Sequence, residues 1–493
     1  MEETKIDYDF IVVGAGYGGL TAAALLAKEN YNVLILESHY SIGGCASFFK
    51  RNGHLFDVGA TTLSGYDYHG PLKRIEEDLG FNLQIKRIDP GMIIHFNGKK
   101  IHRYREFEKW INELNEHFPG IDHRAIWSEI EKVGEKAWRI INDTPLFPPS
   151  KAKDLLSYFN RHLPKYLDLL PFLFKSFISK MPKSAYQNKD YVQFLDQILM
   201  ITNQGKSKEV PYLMGALGLN YPKDTLYSCG GMVQMAHKIE EKFKECGGNI
   251  KKRRRVNSIK KEGPIFKVEA SFNEKKEFYY SKNIICNLPI WNIQNICEGN
   301  LKKYFEKKSK TYNKSWGAMT YYFTVKFKNH LESLYHQVHS KELERFINSE
   351  SLFYSFSDKD DTNRNKSDSL SVTVSTHIST YQFEDMKKNI DEKKIKFEEI
   401  ILENFKKTFK DYGIIKIGKG EVGTPLTFEK YTGRHKGRVG GIPHLLDYYP
   451  FLYPSCLTPD PNFFRVGDTV FPGQGVVGVV SGAFSLVHRI LKS

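Results

Sequence analysis

At 493 residues the chain exceeds what a single hydrophobic core ordinarily organises, so two structural domains are expected. Hydrophobic residues at 41% and aromatics at 14% exclude a disordered chain. The net charge of +15 is spread widely, with basic runs at Lys251 to Arg255 and Lys302 to Lys310, yet no recognition helix, zinc finger or RNA-binding signature accompanies them, so nucleic acid is excluded from the expected partners.

In chain order, Phe10 to Val13 is a short apolar run ending in glycine, Leu20 to Lys28 is rich in alanine and leucine, and Val33 to Leu36 is apolar again. This predicts strand, helix, strand. From about Lys86 to Gln204 the pattern turns helical and aromatic, including Phe107 to His117 and Leu155 to Met181. The latter stretch alternates apolar residues with lysines and is broken by Pro164 and Pro171. It suits either a membrane interface or buried helices of a substrate domain, and both readings stay open. Between Gly230 and Asn287 a helix over Met232 to Cys246 precedes strands at Val256 to Ile259, Phe266 to Ala270 and Ile284-Ile285. Met319 to Phe327 and Leu370 to Ile378 predict strands of a second, mixed sheet, separated by the polar loop Ser357 to Asp368. Val476 to Leu491 predicts a last apolar helix.

Cys45, Cys229, Cys246, Cys286, Cys297 and Cys456 lie apart with no CxxC pair, which excludes a zinc site and a disulfide framework, so a reducing compartment and no metal are expected. The first strand starts close to Met1, and no apolar run approaches the roughly 20 residues that span a bilayer. The expectation is a cytoplasmic protein without a transmembrane helix, with peripheral membrane association left open.

Gly14-Ala15-Gly16-Tyr17-Gly18-Gly19 follows a strand and opens a helix, and Glu37 ends the next strand. Gly14 permits the tight turn, Gly16 lets backbone reach a pyrophosphate, and Gly19 lets helix and strand pack closely. The helix N-terminus favours phosphate charge, and Glu37 is placed to accept ribose hydroxyls. This unit alone does not separate FAD from NAD.

The second glycine turn, Ser41 to Ser47 with Gly43 and Gly44, resembles FAD proteins of the glutathione-reductase and amine-oxidase type. Phe464 to Thr469, with Gly467 and Asp468, resembles their strand-Gly-Asp segment, in which the acid binds the ribitol chain. Phe471-Pro472-Gly473-Gln474-Gly475 then leads into the helix beginning at Val476, an entry that would aim backbone N-H groups at the flavin pyrimidine. The expected FAD-binding residues are Gly14, Gly16, Gly18, Gly19, Glu37, Gly43, Gly44, Ser47, Val256, Gly467, Asp468, Gln474, Gly475 and Val476.

Together with Gly53 to Gly59, Asn220 to Lys223, Gly230-Gly231-Met232, Gly423-Thr424-Pro425 and Tyr431 to Arg434, these segments resemble the carotenoid isomerase and phytoene desaturase family. The form Phe471 to Gly475 is closer to its prolycopene isomerase branch, and retinol saturase is a further relative. Two departures stand out. Cys45-Ala46 occupies the place where amine oxidases carry an arginine, and Asp224 to Cys229 is an insertion.

The resemblance implies an α/β architecture: a Rossmann-like FAD-binding domain of the glutathione-reductase/amine-oxidase type with a second α+β substrate domain. Its expected pieces are residues 1–85, 205–300 and 455–493 for FAD, and 86–204 and 301–454 for substrate. It also implies a long hydrophobic polyene or isoprenoid substrate in an apolar tunnel, with isomerisation or desaturation as the reaction and the electron acceptor or donor unassigned. A retinol-saturase-like or other lipid flavin oxidoreductase and a nonenzymatic prenyl-binding escort protein are the alternatives. No acid or base is assigned; Arg434, His444 and His54 are the first polar candidates.

Overall fold

The computed structural model describes residues 6–67, 70–143, 167–449 and 452–492. Tyr8–Val13, Tyr17–Lys28 and Val33–Glu37 form the expected strand, helix and strand, the two strands parallel and in register from Phe10↔Val33 to Val13↔Leu36. They sit in a seven-stranded sheet ordered Arg255–Glu262, Ile265–Phe272, Lys275–Cys286, Tyr8–Val13, Val33–Glu37 and Asn249–Lys252, with Phe463–Arg465 parallel on the end of Lys275–Cys286. The central strands are buried on both faces, which is why they read as unbroken apolar runs. Helix Tyr17–Lys28, alanine-rich and buried along nearly all its length, is covered by helices Val233–Glu245 and Gly475–Leu491.

A nine-stranded sheet is built around Trp316–Phe327 and Leu370–Ser379, antiparallel from Trp316↔Ser379 to Val325↔Leu370. Alternation along Trp316–Phe327 divides its side chains. Met319, Tyr321, Phe323 and Val325 pack under helix Ile390–Thr408 through Phe397, Ile401 and Phe405, whereas Trp316, Ala318, Thr320 and Tyr322 face a cavity.

Helices Phe107–His117, His123–Asp143, Lys189–Asn203 and Tyr212–Asn220 form a layer with its own core around Trp110, Trp127, Tyr191 and Phe194. Tyr212–Asn220 packs in this layer and not on the seven-stranded sheet, although it follows residue 205. Of the stretch Leu155 to Met181, residues 155–166 lie outside the described residues. The remainder holds the short turns Leu170–Leu173 and Phe177–Lys180, with Leu173 and Phe177 buried and Leu167, Leu170 and Phe174 exposed. Among the described residues no helix is long and apolar enough to cross a membrane.

The two sheets are tied by buried charge. Asp57, at the end of strand His54–Asp57, pairs with Arg364 at 3.0 Å and accepts the Met232 N-H at 2.9 Å. The Asp361 carboxylate accepts the Tyr227 hydroxyl and the Gly230 N-H, both at 2.7 Å. The polar loop Ser357 to Asp368 is thus an anchored connection, held by acids that would be costly to bury without these donors. The insertion Asp224 to Cys229 is anchored too: Asp224 accepts the N-H groups of Gly65 at 2.6 Å and Tyr66 at 3.1 Å, and Leu226–Ser228 pairs with Ile85–Arg87.

Candidate functional site

Three glycine turns from distant parts of the sequence touch. Gly14, at φ +98°, turns the chain out of the first strand, and Gly16 forms a parallel bridge with Gly43. A Cβ on Gly44 would lie 3.4 Å from Gly16 Cα, and one on Gly18 would lie 3.1 Å from Gly467 N. Gly19 does not line the cavity; a Cβ there would meet the Gly14 carbonyl oxygen at 2.3 Å, so its service is close helix and strand packing, as expected. Asn287, in the loop after Lys275–Cys286, wedges between the turns and donates from Nδ2 to the Gly14 carbonyl at 3.3 Å.

Glu37 secures the first turn. Its Oε2 accepts the Ala15 N-H and its Oε1 the His39 N-H, each at 2.7 Å, leaving lone pairs on both oxygens. Its carbonyl accepts Arg254 N-H at 2.8 Å, which brings Val256 alongside. Ser47 meets the Ser41 hydroxyl at 3.2 Å.

All the expected cofactor residues except Gly19 line one cavity of about 1110 Å³, which continues from this cradle between helix Lys189–Asn203 and the nine-stranded sheet. On its lining, Arg434 pairs with Asp468 at 2.5 Å and its guanidinium also lies against the Cys45 thiol. An arginine from a distant part of the chain therefore stands beside Cys45. Burial pushes the Cys45 thiol up, keeping it a thiol. Gln474 donates to the Ile201 carbonyl at 3.3 Å and also to that of Thr202, fixing the entry to the last helix against helix Lys189–Asn203.

Two of the three polar candidates line the cavity, and one does not. Besides Arg434, His444 lines it, but its Nδ1 is held by the Tyr449 hydroxyl at 2.5 Å, its ring stacks on Tyr453, and burial brings its pKa down to about 3. His54 does not line it: its Nδ1 accepts the Lys366 N-H at 3.4 Å, a role in fixing the loop, because strand His54–Asp57 sets it beside that segment. The sequence reading omitted Asn287, His377 and Gln197. Asn287 was within reach, since it directly follows the strand candidate Ile284-Ile285 at the carboxyl edge where parallel sheets bind ligands.

The residues fit FAD. The cavity passes from a glycine cradle that side chains would fill to a space beneath helix Lys189–Asn203. Helix Tyr17–Lys28 begins at Gly16 with no side-chain cap, leaving its N-terminal N-H groups for an anion. Glu37 offers acceptors to hydroxyl groups at the carboxyl edge of the sheet.

Comparison with known proteins agrees. The family of flavin containing amine oxidoreductases matches residues 17–483. A prolycopene isomerase of Daucus carota is 26% identical over 509 residues, covering 98% of this chain and 80% of that protein. An all-trans-retinol 13,14-reductase of Homo sapiens is 24% identical over 538 residues, covering 98% and 85%. Among solved structures, an oxidoreductase from Methanosarcina mazei shares the fold at TM-score 0.64 with 16% identity, over 98% of this chain and 100% of that one. A CLA-producing fatty acid isomerase from P. acnes does so at TM-score 0.57 with 13% identity, over 98% of each chain. The match over nearly the whole length shows that this chain belongs to the flavin containing amine oxidoreductase family and is an FAD-dependent enzyme.

Proposed function

We propose that the chain acts on a long hydrophobic polyene isoprenoid, as a flavin-dependent cis-trans isomerase of a carotene, with desaturation as the related two-electron reaction. The observation that carries this reading is the continuity of the cavity: the space under helix Lys189–Asn203, with Met200, Ile201, Trp316 and Phe353 among its walls, opens directly onto the FAD cradle. The prolycopene isomerase likeness over nearly the whole chain supports it. Bound FAD supplies the electron exchange. The chain's own residues hold the cofactor, exclude water and align the polyene, and among them Arg434 and Asp468 neutralise one another beside the cradle.

The set from Gly14 to Val476 named above is the proposed cofactor site, and we divide the chain as the sequence suggested, with Tyr212–Asn220 joining the substrate part. Exposed Leu167, Leu170 and Phe174, close in sequence to Lys175, Lys180 and Lys183, support contact with an anionic bilayer that delivers the substrate. Saturation is the second reading, favoured by the retinol reductase likeness. A nonenzymatic escort is disfavoured by Gly467 and Val476, which line the same cavity as Gly14 and Gly16.

The decisive experiment incubates the holoprotein with a poly-cis carotene in anionic vesicles, anaerobically and with reductant, and follows mass and absorption spectrum together. Changed geometry at constant mass is expected. Loss of two hydrogens would make desaturation the reaction and gain of two would make it saturation; an unchanged polyene would remove the reading. Separately, Glu37→Ala removes both an acceptor for the cofactor and the brace on Ala15, and should weaken FAD binding roughly ten- to a hundredfold. Equilibrium titration of apoprotein with FAD checks this, and full retention would show that Glu37 does not hold the ribose.

A further inference from the structure

The walls of the substrate space are not uniformly apolar. On the sheet floor His377 lies across the strand pair from Ala318 and two residues from Ser375, and all three line the cavity. The His377 ring meets the Trp316 ring edge to face at 6.2 Å and, among the described residues, has no hydrogen-bond partner. It is deep within the protein mass, yet half-buried by exposed area, so its accessible surface belongs to the cavity. On the helix side Gln197 of Lys189–Asn203 also lines the cavity; it is 2% exposed and, among the described residues, neither its amide oxygen nor its amide nitrogen has a partner.

The two walls are joined at this place. Gln337 donates at 3.0 Å to the Gln197 carbonyl and at 3.2 Å to the Ser351 hydroxyl, and the Ser351 carbonyl accepts the hydroxyl of Thr376, the chain neighbour of His377, at 2.8 Å. The backbone that carries Gln197 and the strand that carries His377 are thus tied together through Gln337 and Ser351. An unpaired buried amide and an unpaired imidazole each cost free energy that a pure hydrocarbon cannot return.

We propose, resting on the polyene reading above, that His377 and Gln197 form a neutral polar subsite that hydrogen-bonds an uncharged oxygen, a hydroxyl or a carbonyl, borne by an otherwise apolar polyene. Burial alone holds the His377 imidazole down to about 4, so it meets its ligand uncharged, as one donor and one acceptor. A carboxylate would call for a cation here, and the nearby cavity cation Lys206 is committed to Glu350. The subsite therefore selects alcohol, aldehyde or ketone over both hydrocarbon and acid.

The test uses the holoprotein and three probes of equal length: all-trans-retinol, the same polyene with methyl in place of hydroxymethyl, and all-trans-retinoic acid. Affinity is read from the shift in polyene absorption on titration. The alcohol should bind about tenfold or more tightly than the other two, the equivalent of one net hydrogen bond. His377→Phe should bring alcohol and hydrocarbon to within about threefold, through loss of alcohol affinity alone, with FAD content unchanged. His377→Gln should restore part of the preference, and Gln197→Leu should reduce it. Equal binding of alcohol and hydrocarbon by the unaltered protein, or an undiminished preference in His377→Phe, would overturn the proposal while leaving the polyene reading in place. Failure of all three to bind would also overturn the proposal, while the carotene incubation decides the polyene reading separately.

Discussion

Gly16→Val should yield a folded, colourless protein. The backbone at Gly16 has φ −70° and ψ 169°, which any residue adopts, so the glycine is required by proximity and not by conformation. An added Cβ would meet Asn287 Nδ2 at 2.8 Å, and the bridge to Gly43 leaves little room to shift. Overpacking of this kind costs about 1–3 kcal/mol, and blocking the approach of backbone to pyrophosphate adds to it, so FAD retention should fall roughly a hundredfold or more. The ratio of flavin to protein absorbance in purified material measures the effect, with far-ultraviolet circular dichroism as the control for folding. The double variant Gly16→Val/Asn287→Ala separates two causes, because it relieves the collision within the protein while leaving the Cβ facing the cofactor. It should also be colourless; a yellow double variant would show that Gly16 matters only for packing against Asn287.

Arg364→Met should destabilise the holoprotein by roughly 3–5 kcal/mol, the usual consequence of stranding one partner of a buried ion pair. Asp57 is fully buried, and its remaining donor, the Met232 N-H, cannot replace the guanidinium. The pair joins strand His54–Asp57 and the start of helix Val233–Glu245 to the loop that carries Arg364, so the loss reaches both sheets. Urea unfolding followed by tryptophan fluorescence and by flavin release should show both transitions moving together. Arg364→Met/Asp57→Asn removes the stranded charge and should recover a large part of the loss. A shift below about 1 kcal/mol in the single variant would mean that the pair is solvated or replaceable.

The cofactor half was legible because its chemistry is local. A strand, a glycine turn, a helix and an acid are adjacent in sequence, and the turns at Gly43 and Gly467 carry their own spacing. The strands of the second sheet were legible for a similar reason, their β-branched and aromatic residues repeating at short range along Trp316–Phe327 and Leu370–Ser379. The polar part of the site was not. His377 stands in the same alternating strand as its neighbours, and only the pairing of that strand with Trp316–Phe327 shows which face looks into the cavity. His54 lies outside the cavity for the same kind of reason: the strand that carries it directs it to the Lys366 backbone, a pairing across more than 300 positions that one sequence does not disclose. The junction of Arg434 with Asp468, 34 positions on, also takes in Cys45, hundreds of positions away, a contact that one sequence does not disclose.

The cover of helix Tyr17–Lys28 has a bearing on biosynthesis. Its flanks are closed by Val233–Glu245 and Gly475–Leu491, so the first βαβ unit leaves the ribosome before either helix that shields its apolar surface has been made, and the second arrives long after the first. Translation needs on the order of a minute to reach that last segment. Until that segment emerges, part of the apolar surface of the first helix lies open and the FAD cradle, which also draws on Gly467, Asp468 and Val476, is incomplete.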